Sequence, residues 1–562
     1  MTSSRASVSI AVVADPYGAG GRLQVLGEDG TAAGPAESVS DLAATVAERE
    51  ARQAPRWVWA ATEEVYPGLL ARLTVRPARC HDLKLVEALL LAHEERYGLP
   101  RALGAAWARL RGLPVPDDPP DGGPDDQPVL FAADRQRLPA GTDPLAAVTA
   151  VHADQQRRMA LAEHPDRMRL LCAAESAGAL AAAEMTYDGL PWSATAHDEL
   201  LTGMLGPRPA GSGARPKLLG ELAGQIQEAL GRQVNPDSPA QLLPAFARVG
   251  VQISSTRSYV LREVEHPAAA LLLRYKELSR IHSAHGWAWR EQWAPAGRFR
   301  PEYVVGGVVS GRWATRGGGA LQIPRSLRAA VVADPGHRLV VADAGQLEPR
   351  VLAALSGDDG LARAAAEGDL YAALARTAFD GDRQRAKLGL LGAMYGQTSG
   401  EVRPLLDVLH RRFPDAMRLV ESAARTGEAG GVVRSRLGRT SPPPSRDRQD
   451  MTDGDARAWG RFTRNFVIQA SAAEWALAMM ASLRRRLTAL GDDGNGGNKG
   501  DGPRLVFFLH DEIIVHTPEA QAQAVESAVA ESADEARRLV FGRTPVLFPL
   551  ETHTVRCYAD AK

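Results

Sequence analysis

Cysteine is nearly absent from this 562-residue chain: Cys80, Cys172 and Cys557 are the only three, and they stand far apart. That spacing excludes a disulfide framework and a cysteine-rich zinc knuckle, and it suits a reducing compartment. Long apolar runs are missing too. None approaches the ~18 residues of a membrane span, and the early apolar run over residues 8–14 breaks at Asp15, too short and polar for a secretory signal. An excess of charge of either sign is also lacking, with 66 Lys and Arg against 67 Asp and Glu. A nucleic-acid partner would therefore need a local basic groove. Lysine is scarce beside arginine, which we read as genomic base bias. What remains, 45% hydrophobic and 24% charged residues, is an ordinary globular composition, long enough for several domains. The expected setting is the cytoplasm, with no membrane contact.

Alternation across residues 7–26, around Gly18-Ala19-Gly20-Gly21, predicts a strand pair. Residues 56–60 predict another strand, 81–97 a helix, and 114–128 a Pro/Asp/Gly linker. From residue 144 the pattern is helical, with Asp143 as N-cap, over 145–162, 168–185, 196–205, 216–230 and 240–248. A long helix is expected over 268–289, with a basic face of Arg274, Lys276, Arg280, His282 and His285. Strand character returns at 298–309 and 329–342, and helices dominate 360–426. Strand pairing at 432–437, a loop over 440–455, a helix over 458–490, a low-complexity loop at 491–502 and a strand at 504–509 complete the chain. A sheet assembled from distant segments around a helical insertion is an α+β arrangement.

Three stretches carry chemistry. In VVADAGQLEPRV, apolar residues 339–342 predict a buried strand that delivers Asp343 at its end, followed by Glu348 and Arg350. A carboxylate there suits a strand-to-helix cap as well as metal-assisted chemistry. In PRLVFFLHDEIIVHTP, apolar residues 505–509 and 513–515 flank His510, Asp511 and Glu512, which reads as a tight hairpin with charge at its tip. Two carboxylates at the ends of neighbouring strands could bridge two divalent cations ~4 Å apart and stabilise both oxygens of a phosphoryl transfer. With no Cys or His cluster nearby, magnesium is favoured over zinc. In RQRAKLGLLGAMYGQTSG, Arg383, Lys387, Leu391 and Tyr395 recur every four residues along one helix face. Two cations and an aromatic so placed could hold a triphosphate and stack on a base. Gly389, Gly392 and Gly396 each weaken a helix by about 1 kcal/mol relative to Ala, so they imply close packing. Residues 383–464 hold 16 Arg and Lys against 9 Asp and Glu, the local excess that a phosphate-tracking surface needs. Arg461, Asn465 and Gln469 also recur every four residues, and polar groups so spaced could reach minor-groove acceptors.

Taken together, these stretches resemble family A of the DNA polymerases. VVADAGQLEPRVLAALSGD resembles motif A of that family, RQRAKLGLLGAMYGQ motif B and FLHDEIIVHTP motif C, in the family's order. SGRWATRGGGALQIP resembles the segment before motif A, RNFVIQASAAEWA the Asn/Gln-bearing helix after the fingers, and VRCYADAK the C-terminal ending. The likeness runs from residue 179 to residue 562. It implies an α+β, right-hand polymerase fold: thumb and connecting helices over 161–300, palm over 301–357 and 456–562, and fingers over 358–455. Residues 1–160 would form a reduced exonuclease-like (RNase H-like) α/β domain. The implied activity adds deoxynucleotides to a primer 3′ end with release of pyrophosphate, in repair or replication. The implied partners are primer–template DNA and deoxynucleoside triphosphates, handled by a nucleoid-associated monomer.

The resemblance also implies residue roles. Asp343 and Asp511 would bind two Mg2+ ions, with Glu512 in support. Arg383 and Lys387 would neutralise the triphosphate, and Lys387 could protonate the pyrophosphate. Tyr395 would pack near the templating base, Leu391 near the sugar, and Glu348, beside Gln346, would bar a 2′-hydroxyl. Arg312, Arg461, Asn465 and Gln469 would grip the duplex, and His510 would support the primer terminus.

The chain departs from the family pattern at two pocket positions. Ala344 replaces the usual aromatic after the motif A aspartate, and Leu391 replaces the motif B Phe or Tyr. Both losses loosen the pocket, so altered sugar selectivity is expected. An exonuclease centre needs four carboxylates, and residues 1–160 lack them. Asp15 is followed by Pro16 and Tyr17, Val86 takes an aspartate position beside Glu87, and His152 takes another, with Asp154 displaced. Loss of proofreading is expected, and no 5′-nuclease domain ahead of it. Two other readings share residues with this one. A single-subunit RNA polymerase would keep the aspartates and accept Leu391, but would gain nothing from Glu348. An inactive DNA-binding scaffold would need none of Asp343, Asp511, Lys387 and Arg383.

Overall fold

The computed structural model describes residues 8–120, 136–211, 214–316, 322–397, 400–446, 448–492 and 502–561. Residues 121–128 of the linker, 317–321 of the segment before motif A, 398–399 after motif B, 447 and 493–501 of the low-complexity loop lie outside them. The chain packs as two units: Met1–Asp188, Glu302–Arg316 and Val340–Thr554 form the first, and Gly189–Pro301, Gly317–Leu339 and Val555–Lys562 the second.

The first unit opens on a five-stranded sheet in the order β3-β2-β1-β4-β5. Its strands are β1 (Ser9–Ala14), β2 (Gly21–Leu26), β3 (Glu37–Val39), β4 (Arg56–Trp59) and β5 (Arg79–Asp82). β1 pairs antiparallel with β2 and parallel with β4, and β4 pairs parallel with β5. Alternation puts Trp57 and Trp59 on one buried face and Val58 on the other. The helix expected over 81–97 begins later, as Leu83–His93, because residues 79–82 complete the sheet. Asp82 switches the chain between the two: its carboxylate accepts the Leu85 N–H at 2.9 Å and the Thr62 N–H at 2.7 Å. Asp143 caps the Pro144–Ala160 helix as expected, and Pro165–Asp188 follows.

The second unit is mainly helical, with a short pair of strands, β6 (Leu190–Pro191) and β7 (Arg298–Phe299). The helix expected over 268–289 is two helices, Pro267–His285 and Trp287–Trp293. Gly286 stands at the break, where a Cβ would lie 2.2 Å from the His282 carbonyl oxygen and only glycine fits. Trp192, His197, Trp289 and Phe299 pack ring against ring.

Instead of one strand over 298–309, the chain forms a hairpin in the first unit, β8 (Glu302–Val304) and β9 (Ala314–Arg316). The strand expected over 329–342 is shorter and later, β10 (His337–Ala344), preceded by a 3-10 turn at Arg325–Ala330. β11 (Arg504–Leu509), β12 (Glu512–Pro518) and β13 (Leu550–Val555) complete a second sheet in the order β11-β12-β10-β13. Distant segments are thus assembled around helices, as the pattern implied. Pairing at 432–437 reduces to one bridge, Arg434 with Thr440. The Asp453–Asp492 helix is long and apolar enough to cross a membrane by length and composition, but 83% of its apolar window is buried in the protein.

Candidate active site

β10 buries Leu339, Val340, Val341 and Ala342 completely, then releases Asp343 half-buried at its end. Asp343 does not cap the next helix: Leu347–Ser356 starts from Gln346, which has no capping side-chain bond. Beside it, β11 and β12 join through the two residues His510 and Asp511, with Leu509 opposite Glu512. The Ala344 N–H donates to the Asp511 carbonyl at 3.0 Å, so the two aspartates sit at adjoining strand ends. Glu512 is buried at the start of β12, and His510 is exposed at the tip. Gln346 (φ 60°) and His510 (φ 57°) both hold left-handed backbones, a strain that collects at functional sites.

The helix Arg383–Tyr395 carries all four residues of the predicted stripe, and side chains tie both its ends to motif A. At its far end, Tyr395 Oη donates to Glu348 Oε2 at 2.6 Å, and Arg312 donates to Glu348 Oε1. Burial, then the Glu348 carboxylate, pushes the Tyr395 hydroxyl pKa up. Partial desolvation of its ring by the neighbouring chain, then Arg312, pushes the His510 pKa down although the residue is exposed, with Glu348 opposing. At the near end, Arg383 Nε donates to Asp369 Oδ2 at 2.8 Å, and Gln346 Nε2 donates to Asp369 Oδ1 at 2.9 Å. Burial pushes Asp369 up, but the bonds from Arg383, the Ala372 N–H and Gln346 outweigh it and hold it at about 2. Between these anchors, Lys387 is exposed and makes no ion pair among the described residues, and Leu391 is half-buried against the core.

The helix glycines have the packing roles that their cost implied. A Cβ on Gly389 would lie 3.1 Å from Leu405 Cβ, and one on Gly392 2.4 Å from Val402 Cγ1. Gly396, at φ 72°, lets the stem of Arg461 lie against the backbone. Arg461 is exposed, while Asn465 and Gln469 are half-buried one and two turns on; Asn465 Oδ1 is buried without a hydrogen-bond partner.

A second constellation, in the N-terminal sheet domain, is neutralised. Glu87 is 1% exposed and accepts from Arg109 at 2.9 Å, Arg158 at 2.8 Å and Gln155 at 3.0 Å. Asp154 pairs with Arg157 and Arg158. His81 and His152 meet edge to face at 4.8 Å, and burial pushes His152 down to about 4. Val86 is in the core. Arginine and amide groups thus take up the charge that metal ions would otherwise meet.

The model of DNA polymerase family A matches residues 215–552, more than half of the chain. The chain belongs to DNA polymerase family A. It is 30% identical over 349 residues to DNA polymerase I of Chloroflexus aurantiacus, covering 54% of this chain and 36% of that protein. To the thermostable DNA polymerase I of Thermus aquaticus it is 26% identical over 318 residues, 52% of this chain and 36% of that one. The chain thus spans little more than a third of these relatives' length. Among solved structures, it is similar to the POL domain of Pol1 from M. smegmatis in complex with DNA primer-template and dNTP. That match has a TM-score of 0.70 and 19% identity, and covers 99% of this chain and 96% of that one. It gives the family A chain the α+β palm, fingers and thumb fold that the resemblance implied.

The roles of three residues that shape this family A site escape a reading of the sequence. Asp369 looks like a simple N-cap, which it is for Leu370–Ala378, yet it also orients Arg383 and Gln346. Arg350 is 1% exposed and donates to five carbonyls, those of Gly345, Ala365, Leu547, Glu367 and Gly368. Arg464 donates to the Ala393 carbonyl at 2.9 Å and so holds the end of the motif B helix. Only the Asp before Leu370 carried a signal, as a capping residue.

Proposed function

We propose that this chain extends a primer 3′ end with deoxynucleotides on a DNA template and does not proofread. The observation that carries the reading is the double anchorage of the Arg383–Tyr395 helix to motif A, through Asp369 to Gln346 and through Tyr395 to Glu348. It joins the helix that bears the cationic stripe to the segment that follows Asp343, whose neighbour Ala344 bonds the Asp511 carbonyl. A triphosphate lying along Arg383 and Lys387 would bring its α-phosphate toward those carboxylates and its sugar toward Glu348 and Leu391. The solved polymerase domain that the chain resembles holds DNA primer-template and dNTP, which supports the same substrates here.

Family A polymerases generally use divalent metal ions, and the donor set fits such ions. No group of three or more His, Cys, Asp and Glu that could hold a metal occurs among the described residues. Two carboxylates without such a group suit magnesium, which takes one or two carboxylates and fills its shell with phosphate oxygens and water. Asp343 and Asp511 would hold two Mg2+ ions, which supply charge neutralisation at the attacking and leaving oxygens. The residues do the rest. Arg383 and Lys387 bind and neutralise the triphosphate, and Lys387 holds a proton for the leaving pyrophosphate. Glu348, fixed by Arg312 and Tyr395, excludes a 2′-hydroxyl, which disfavours the RNA polymerase reading. Arg461, Asn465, Gln469 and His510 would contact the duplex and primer end.

In this reading residues 1–160 form an exonuclease-like domain without its chemistry, because Glu87 and Asp154 are spent on arginines. We also read the protein as a cytoplasmic monomer. Primer extension with dNTPs and rNTPs compared, using wild type and Asp511→Ala, tests the proposal. Extension with dNTPs that disappears in the variant is expected; equal use of rNTPs would move the reading to an RNA polymerase, and no extension at all to a scaffold.

A further inference from the structure

Beneath Arg312 lies a buried ion pair that the chemistry above does not use. Glu175, from the Pro165–Asp188 helix, and Arg439 are 2% and 7% exposed and bonded at 2.5 Å. Arg439 is fixed from behind. Its backbone N–H donates to Ser435 Oγ at 2.8 Å, and the Ser435 hydroxyl donates to Glu474, which is fully buried in the Asp453–Asp492 helix. The Leu437 N–H adds a bond to Glu474 at 3.0 Å. Burial pushes the Glu474 carboxyl up to about 7 against the pull of Ser435 and Arg439.

The other side of the pair meets the β8–β9 loop. Three backbone bonds close that loop: Gly307 N–H to Val304 at 3.1 Å, Val308 N–H to Arg312 at 3.0 Å and Gly311 N–H to Val308 at 2.8 Å. Gly306 (φ 63°) and Gly311 (φ 85°) face the pair so closely that side chains would not fit. A Cβ on Gly306 would lie 2.6 Å from Glu175 Oε1, and one on Gly311 2.6 Å from Arg439 Nε. The next residue is Arg312, which grips Glu348. Stability does not explain the pair well. Buried ion pairs are often matched or bettered by apolar packing, and here Arg439 Nε and the adjacent Ser310 Oγ are buried without hydrogen-bond partners.

We infer that Glu175 and Arg439 are positioning residues: they form a fixed seat under Gly306 and Gly311 that sets where Arg312 meets Glu348 and the primer–template. The inference rests on the polymerase reading. Displacing the loop by one methyl moves Arg312, and small misplacements of a positioning group are costly.

A double-mutant cycle separates a positioning role from a merely structural one. Primer–template Kd and the dNTP/rNTP ratio are measured for wild type, Gly311→Ala, Arg439→Met, Arg312→Ala and the two doubles, with thermal melts alongside. Gly311→Ala and Arg439→Met are each expected to weaken DNA binding about tenfold and to shift the sugar ratio. In the Arg312→Ala background both should change either quantity less than about twofold. Additive losses, or single variants that bind DNA like wild type, would overturn the inference. Should Arg439→Met melt below the assay temperature, the Gly311→Ala cycle decides alone. Wild-type protein that fails to bind primer–template would count against the polymerase reading instead.

Discussion

Glu348 accepts hydrogen bonds from Arg312 and Tyr395 at once, so its carboxylate is held in place rather than left to swing. In the proposed reading that carboxylate bars a 2′-hydroxyl, while Ala344, buried in the core, and Leu391, half-buried against it, stand where the resemblance places rings. We expect weaker dNTP-over-rNTP discrimination than in ordinary family members. Leu391→Phe should raise it and Glu348→Ala should lower it by about tenfold or more in single-nucleotide incorporation; a Leu391→Phe enzyme with unchanged discrimination would show that the missing ring is not the cause. Asp369 shapes the other end of the pocket. Asp369→Asn leaves Arg383 without its anion, and the KM for dNTP should rise about tenfold with kcat changed less, the signature of lost ground-state binding. The positions of Asp343, Asp511 and Lys387, at strand ends and on a helix, were legible in the sequence because each lies in a local motif. Asp369, Arg350 and Arg464 were not, because their roles depend on carbonyls and side chains up to 197 residues away.

Short strands and glycine breaks decide how far the elements could be read. β1, β2 and β11 alternate or run apolar and are plain in the sequence. β5 is four residues running straight into a helix, with no turn residue to mark the boundary. The Gly286 break is invisible for a related reason: its mark is a close approach to the His282 carbonyl that only glycine allows, which periodicity does not register. The motif B helix shows the reverse, where a sequence argument about glycine was borne out by contact. Gly392→Ala would force its methyl against Val402 and should cost about 1–3 kcal/mol in urea unfolding, with Val402→Ala restoring most of it. Arg350→Met should cost about 3 kcal/mol or more, since several buried carbonyls lose their donor. A near-neutral result would mean that water replaces the guanidinium.

For the whole molecule, buried histidines set the pH dependence of stability. Burial pushes His152 and His285 from 6.5 to about 4, and His81 and His197 downward as well. Between about pH 4 and 6.5 the unfolded chain binds protons that the folded chain refuses, so stability is full above that window and falls as pH drops through it. Glu474, raised from 4.5 to about 7, runs the other way, as do the buried acids Glu50 and Asp82, whose values burial also raises. Their contributions are lost as pH rises through the raised values, but they are three acids against seven histidines shifted down. Tm should therefore be lower at pH 5 than at pH 7.5, and His152→Gln should flatten part of that slope; a pH-independent Tm would contradict it. The arginine-filled N-terminal centre predicts that a mismatched primer 3′ end survives incubation with the enzyme and Mg2+ intact.

The central claim is that Asp343 and Asp511, together with a helix anchored to Gln346 and Glu348, direct nucleotide addition by a template. It is tested most directly by single-nucleotide extension of a primer opposite each of the four template bases, with wild type and Asp343→Asn. The account predicts that wild type adds the complementary deoxynucleotide in every case and that the variant loses at least about a thousandfold in rate. Addition that ignores the template base, or a variant that extends as fast as wild type, would contradict it.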